Sequence, residues 1–313
     1  MRVKWFPILA ITTSLLTVGL IVFGAVVRVT DSGLGCGNEW PLCHGSIIPP
    51  LDNLTAWIEW LHRLFAVAIG LFGLSMLAIA IVAYRKQNRR VLVITVIAAG
   101  LFALQSALGA LVVVLDLPPT AVTLHLGTAM LLLGALLTAA VTTLYRPRHR
   151  YERDNFTLLV YITTALSLVV IVSGALVRGS GASLACTDWP LCNGEFLPFQ
   201  QGAWATIHML HRVIVVGLGI SLFFVVAAAW RSQRDGQMRL LSLIALGLYL
   251  AQAGVGAMFV ISGAAPLWGA AHVGMASGTW AVLIVLSAFE TLSHGQVQQQ
   301  NEWQPQSEPL PSS

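Results

Sequence analysis

"IEWLHRLFAVAIGLFGLSMLAIAIVAY", residues 58 to 84, decides the class of fold. Beyond Glu59, His62 and Arg63 it carries no charge to its end, and it exceeds the about 20 apolar helical residues that cross a hydrocarbon core of about 30 Å. Seven more such runs lie at 6–28, 91–115, 121–145, 156–177, 205–230, 239–262 and 268–290. Of the whole chain, 57% is apolar and 10% charged, the balance of a multi-span membrane protein. Lipid offers the backbone no hydrogen-bond partner, so the runs are expected to be helices and the fold an all-α integral membrane protein with eight spans. The first run follows Arg2 and Lys4, as a secretory signal would, but it is too long for one and its end recurs in a repeat. Residues 293–313 are rich in Gln, Pro and Ser and read as a disordered cytoplasmic tail.

The net charge of +4 is divided among short loops, which excludes a nucleic-acid surface and leaves the lipid bilayer as the surrounding partner. Arg2, Lys4, Arg85, Lys86, Arg89, Arg90, Arg146, Arg148, Arg150, Arg153, Arg231, Arg234 and Arg239 all fall on one side if the spans alternate. That side is expected to be the cytoplasm, with both termini on it and the protein in the cell membrane.

The span that opens with "EWLHR" at 59–63 has a counterpart opening with "HMLHR" at 208–212. Likewise "GAVVRVTDSGLGCGNEWPLCHGSIIPP" from residue 24 matches "GALVRGSGASLACTDWPLCNGEFLP" from residue 174. The chain therefore reads as a tandem duplication of a four-helix unit, residues 1–150 and 151–292, divided at the basic "YRPRHRYERD" loop. An even number of spans per unit inserts both copies the same way round, so a pseudo-twofold axis along the membrane normal should relate the two bundles. Gly24, Gly109, Gly174 and Gly256 read as points of close helix approach, and Gln105 and Gln252 as hydrogen-bonding groups between helices.

Four arginines remain on the outer side, Arg28 and Arg63 in the first unit, Arg178 and Arg212 in the second. Snorkelling would explain any one of them. Their matched occurrence is better explained by a pair of anionic groups held near the outer interface of each unit, which guanidinium forks suit. Four histidines are matched at similar depth: His62 with His211, and His125 with His272. A lone helical histidine is more often hydrogen-bonded core than ligand. Two matched pairs favour a site, because ionisable groups in a bilayer are costly.

A structural zinc site wants four ligands, commonly cysteines among them. A di-iron site needs several glutamates, and Glu59 is counted as the single one within the membrane. Haem iron needs two axial ligands from the protein, its ring fills an apolar bundle, and its propionates would call for the outer arginines. One haem per half accounts for the histidines and the arginines together. Glu59 shares a helix face with His62, as His208 does with His211, so Glu59 is expected to point toward the first haem. The loop pairs Cys36/Cys43 and Cys186/Cys192 face the oxidising side and read as disulfides holding short lids; the first reads equally well as a redox-active pair. His44, His149 and His294 are expected to be solvated.

On "EWLHR", "HMLHR", "TLHLG", "AAHVG" and both "WPLC" loops, the chain resembles the haem A synthases, bacterial and mitochondrial, over all eight spans. The resemblance implies oxidation of the C8 methyl of haem O to the formyl of haem A, by successive hydroxylations, for terminal cytochrome oxidases. It implies that His62 and His125 flank the substrate haem, that His211 and His272 hold haem b as cofactor, and that Glu59 is the essential glutamate. Delivery of haem O by a complex with haem O synthase, the protohaem farnesyltransferase, follows by the same analogy. The electron acceptor stays open, as does the oligomeric state, a homo-oligomer included. Bottom-up, a carboxylate beside one haem and not the other suggests chemistry in the first half and electron relay in the second. Rival readings are a di-haem electron-transfer cytochrome, a membrane thiol oxidoreductase and a transporter. The last would be expected to carry polar groups and broken helices at the midplane.

Overall fold

In the computed structural model, which describes residues 4–294, eight long helices account for nearly the whole chain. They are α1 (Trp5–Val29), α2 (Leu54–Ile79), α3 (Arg89–Val114), α4 (Pro119–Leu144), α5 (Asn155–Gly179), α6 (Ala203–Arg231), α7 (Gly236–Ile261) and α8 (Pro266–Ser293). Each is long and apolar enough to cross a membrane, which makes this an all-α, multi-pass membrane protein. The tail expected at 293–313 lies, beyond His294, outside the described residues.

Local chemistry sets the helix starts. Asn53 accepts the Ala56 N–H at 3.0 Å to cap α2, Asp154 and Thr157 form a capping box on α5, and Asp235 accepts the Met238 N–H at 2.9 Å on α7. Proline at the first position, Pro119 and Pro266, starts α4 and α8, where its missing N–H costs nothing. Within α1 the buried hydroxyls of Thr13, Ser14 and Thr17 donate to carbonyls one turn back at 2.7–2.8 Å, which keeps them paired inside the bundle. A π-helical turn, Ala80–Tyr84, extends α2 to the basic loop.

Helix α1 packs on α2 and α4, and α3 on α2 and α4; in the second part α5 packs on α6 and α8, and α7 on α6 and α8. Between the parts, α1 and α4 meet α5 and α8 in an apolar seam of Ile21, Ala129, Met130, Leu133, Ile171 and Trp280. The Trp280 indole N–H, which lipid could not satisfy, donates to the Met130 carbonyl at 2.8 Å across that seam. Large side chains such as Leu71, Val82, Val216 and Phe223 are exposed on the outer faces, where hydrocarbon would cover them.

At the basic-loop end of the second part lies a buried ionic cluster that the sequence reading missed. Glu59 is not the single carboxylate within the bundle: Glu290, in the last turns of α8, is 0% exposed. Arg234 folds back from the α6–α7 loop and donates to Glu290 at 2.7 and 3.2 Å and to Asp154 at 2.8 Å. Its guanidinium also stacks 4.3 Å from the Tyr151 ring centre. Here Arg234 is no free loop charge: it neutralises a carboxylate in the bundle. Replacing Arg234 with alanine strands Glu290 and should cost about 3–5 kcal/mol, read as a lower unfolding midpoint in detergent. The paired change to Met at both positions should cost far less.

Candidate functional site

The N-terminal ends of the even-numbered helices carry the four histidines in matching places. His62 and His211 are the ninth residues of α2 and α6, and His125 and His272 the seventh of α4 and α8. Each imidazole lies against a glycine of the preceding helix: His62 on Gly24, His125 on Gly109, His211 on Gly174 and His272 on Gly256. A Cβ at those glycines would stand 3.1, 3.1, 3.1 and 2.8 Å from the ring Cε1. The four glycines thus do more than bring helices close; they make the space in which the rings sit. His62 and His125 lie within electrostatic reach of each other, as do His211 and His272. Among the described residues no three or more His, Cys, Asp and Glu side chains cluster as a metal site. The rings that could hold a metal are His62 and His125 in the first half and His211 and His272 in the second, with buried His208 beside His211.

The polar surroundings of the rings differ between the halves. His211 Nδ1 is 2.8 Å from Ser173 Oγ, and His272 Nδ1 is 3.0 Å from the Gln252 amide. In the first half Gln105 meets His125 at Nε2, 3.1 Å away, and the buried Nδ1 atoms of His62 and His125 have no hydrogen-bond partner among the described residues. Phe23 takes the place beside His62 that Ser173 takes beside His211, its ring centre 5.9 Å from the imidazole. An unpaired buried N–H costs about 1–3 kcal/mol. Gln105 and Gln252, read from sequence as hydrogen-bonding groups between helices, are such links, from α3 to His125 on α4 and from α7 to His272 on α8.

Next to the rings, the α1–α2 and α5–α6 loops are each closed by a disulfide, Cys36–Cys43 and Cys186–Cys192. His44 and Asn193 occupy equivalent left-handed positions, with φ of 50° and 51°, and each bonds a loop carbonyl, Gly35 and Ala185, at 2.9 Å. Exposed His44 is thus a loop clamp with an asparagine counterpart. In the second lid Asp188 accepts the Gly194 and Asn193 N–H groups, and those bonds hold its carboxyl below the usual range.

Glu59, expected to point toward the first haem, is fastened to the lid. Only 3% exposed, it turns up to the lid, accepting the Cys36 N–H at 2.9 Å through one oxygen and pairing with Arg63 through the other. Arg63 in turn donates to the carbonyls of Glu39, Pro41 and Leu42 at 3.0–3.3 Å, while Trp57 and Trp60 donate to those of Pro50 and Ile47. Gly35 permits this fit, since a Cβ there would fall 2.3 Å from the Thr55 carbonyl carbon. Glu59 is a carboxylate tied through one hydrogen bond to a disulfide-closed loop. In the second half Arg212 grips the carbonyls of Pro190 and Leu191 and meets buried His208 at 3.3 Å.

The remaining arginines form a different set. Arg28 and Arg178 come from the ends of α1 and α5 and meet across the seam, Arg178 reaching the Arg28 carbonyl at 3.5 Å. The Nε of each is buried without a hydrogen-bond partner among the described residues. The structure therefore divides the four outer arginines into two lid-holders, Arg63 and Arg212, and two with unused donors.

A family model described as cytochrome oxidase assembly protein, COX15-CtaA, matches residues 7–284. A heme A synthase of Geobacillus thermodenitrificans is 34% identical over 270 residues, 83% of this chain and 82% of that one. Another from Exiguobacterium sp. is 30% identical over 285 residues, 89% and 92% of the two chains, and one from Symbiobacterium thermophilum is 31% identical over 281, 85% and 89%. With the match running from α1 into α8, and so across all four histidines and both lids, the chain belongs to the COX15-CtaA family of cytochrome oxidase assembly proteins.

Proposed function

We propose that the chain is a haem A synthase, oxidising the C8 methyl of haem O to the formyl of haem A. On this reading residues 1–150 form the substrate-haem unit, with His62 and His125 on the iron, and residues 151–292 the unit that holds haem b through His211 and His272. The carrying observation is the fourfold glycine seat with its matched imidazoles, together with a buried carboxylate, Glu59, one helical turn from His62, where the second half has His208. Separate apolar cores support the division into two bundles: one of Phe6, Met76, Val91 and Leu136 from α1 to α4, another of Phe156, Val160, Val225 and Leu286 from α5, α6 and α8. The loop disulfides support an extracytoplasmic position for the sites, with both termini in the cytoplasm and the chain in the plasma membrane.

Haem fits these residues. A neutral imidazole ligates through one nitrogen while the other is held; Ser173 holds Nδ1 of His211 in this way, and Gln252 does so for His272 when its amide oxygen, which has no other partner among the described residues, faces Nδ1. The unused Nε–H groups of Arg28 and Arg178 suit propionates. When bound, haem supplies the redox chemistry of iron. The chain's part is to clamp it, close the lids through Arg63 and Arg212, and set Glu59 where it can hold a proton or stabilise positive charge developing at the methyl.

Membranes that contain haem O and no other source of haem A test the reading. Expression of the chain should yield haem A on chromatography and mass analysis of extracted haems. Recovery of haem O alone from a protein that binds it would reject the reading. The glycine seat makes a separate prediction: Gly256→Ala drives a methyl to 2.8 Å from His272. Haem b content of the purified protein should then fall roughly 10-fold, as when a ligand loses its orientation.

A further inference from the structure

Besides Glu59 and His208, the halves differ next to the matched imidazoles at Phe23 on α1 and Ser173 on α5, in "IVFGAVVR" and "IVSGALVR". The Ser173 hydroxyl has a single proton and lies 2.8 Å from the Val170 carbonyl, which can only accept it. Ser173 Oγ therefore accepts from His211 Nδ1–H at 2.8 Å, which fixes the proton on Nδ1 and leaves the Nε2 lone pair free. Gln252 can do the same for His272: its Oε1 is buried without a partner among the described residues, and exchanging the amide oxygen and nitrogen sets a carbonyl against Nδ1–H. Against Phe23, His62 has no such acceptor, and its Nδ1 is buried and unpaired among the described residues. Nδ1 of His125 is unpaired as well, Gln105 meeting that ring at Nε2 instead, so the contrast between the halves rests on His62 and His211.

We propose that Ser173 is a positioning residue that presets His211 as a permanent iron ligand, and that Phe23 withholds the same support from His62, so that the second half retains its haem while the first exchanges one. This inference rests on the proposed assignment of haem b to His211 and His272. It gives a physical cause for that division of labour: an imidazole whose outer nitrogen is held is a stronger and better oriented ligand, by about 10–100-fold in affinity. A ligand without that support binds a substrate and lets a product go.

The test uses the full-length haem-loaded protein and variants Ser173→Ala, Ser173→Thr, Phe23→Ser and His211→Ala. Three quantities are read: haem transfer to excess apomyoglobin, the midpoint potential of the retained haem, and its low-spin ferric resonance. Ser173→Ala should speed loss of the retained haem about 10-fold or more and shift its potential positive, because the ring donates less electron density without the acceptor. Ser173→Thr, which keeps the hydroxyl, should restore both, and Phe23→Ser should slow loss of the exchanging haem by a similar factor. Unchanged loss rate and potential in Ser173→Ala, beside a wild-type low-spin signal that His211→Ala removes, would overturn this inference and leave the haem assignment standing. A retained haem whose signal His211→Ala does not touch would overturn both.

Discussion

Glu59→Gln is expected to bind haem as the wild type does and to stop oxidation at haem O or a hydroxylated intermediate. The side chain is nearly isosteric, and its amide oxygen can still accept the Cys36 N–H that Glu59 accepts at 2.9 Å. The charge is what disappears, and with it the ion pair to Arg63. A positioned acid or base group is worth about 10²–10⁴-fold in rate, so conversion should fall by that factor, measured by chromatography of extracted haems. Normal haem A from Glu59→Gln would reduce the residue to a lid fastener. The lid makes this an informative variant: truncation to alanine would also free the loop amide and strand Arg63, confounding charge with loop order.

The second large effect concerns the imidazoles. Alanine at His211 or His272 should remove the retained haem, and alanine at His62 or His125 should weaken binding of the substrate haem while the retained one persists. Losing an iron ligand should exceed the roughly 10–100-fold that losing its outer-shell partner costs. Visible absorption of the four purified variants separates the pairs. If all four lost the same spectral component, both pairs would serve one haem, and the proposed two-site division would fail.

Much of this architecture is legible in the sequence because lipid imposes one answer on a long apolar run. Boundaries are less so: the second span reads from residue 58, yet α2 begins at Leu54, since the Asn53 cap takes the helix out past the apolar stretch. The histidines and their glycines stand out because duplication repeats them. What the repeat conceals is the partner of each polar group. Arg63 and Arg212 look identical in sequence to Arg28 and Arg178 as outer cations, but their positions one turn below the lids commit them to loop carbonyls. Glu290 escaped notice because its partner, Arg234, sits in a loop that resembles any other basic loop until it folds inward. Ser173 interrupts a stretch in which the copies otherwise largely agree, so its signal is a difference between the halves and not a likeness.

Identification of the haems in the purified wild-type protein, by extraction and mass, bears most directly on the claim that each half clamps its own iron porphyrin. Haem b together with haem O or haem A is the predicted outcome. Haem b alone would make the chain an electron-transfer cytochrome, and a protein with no Soret band even after reconstitution would contradict the account at its root.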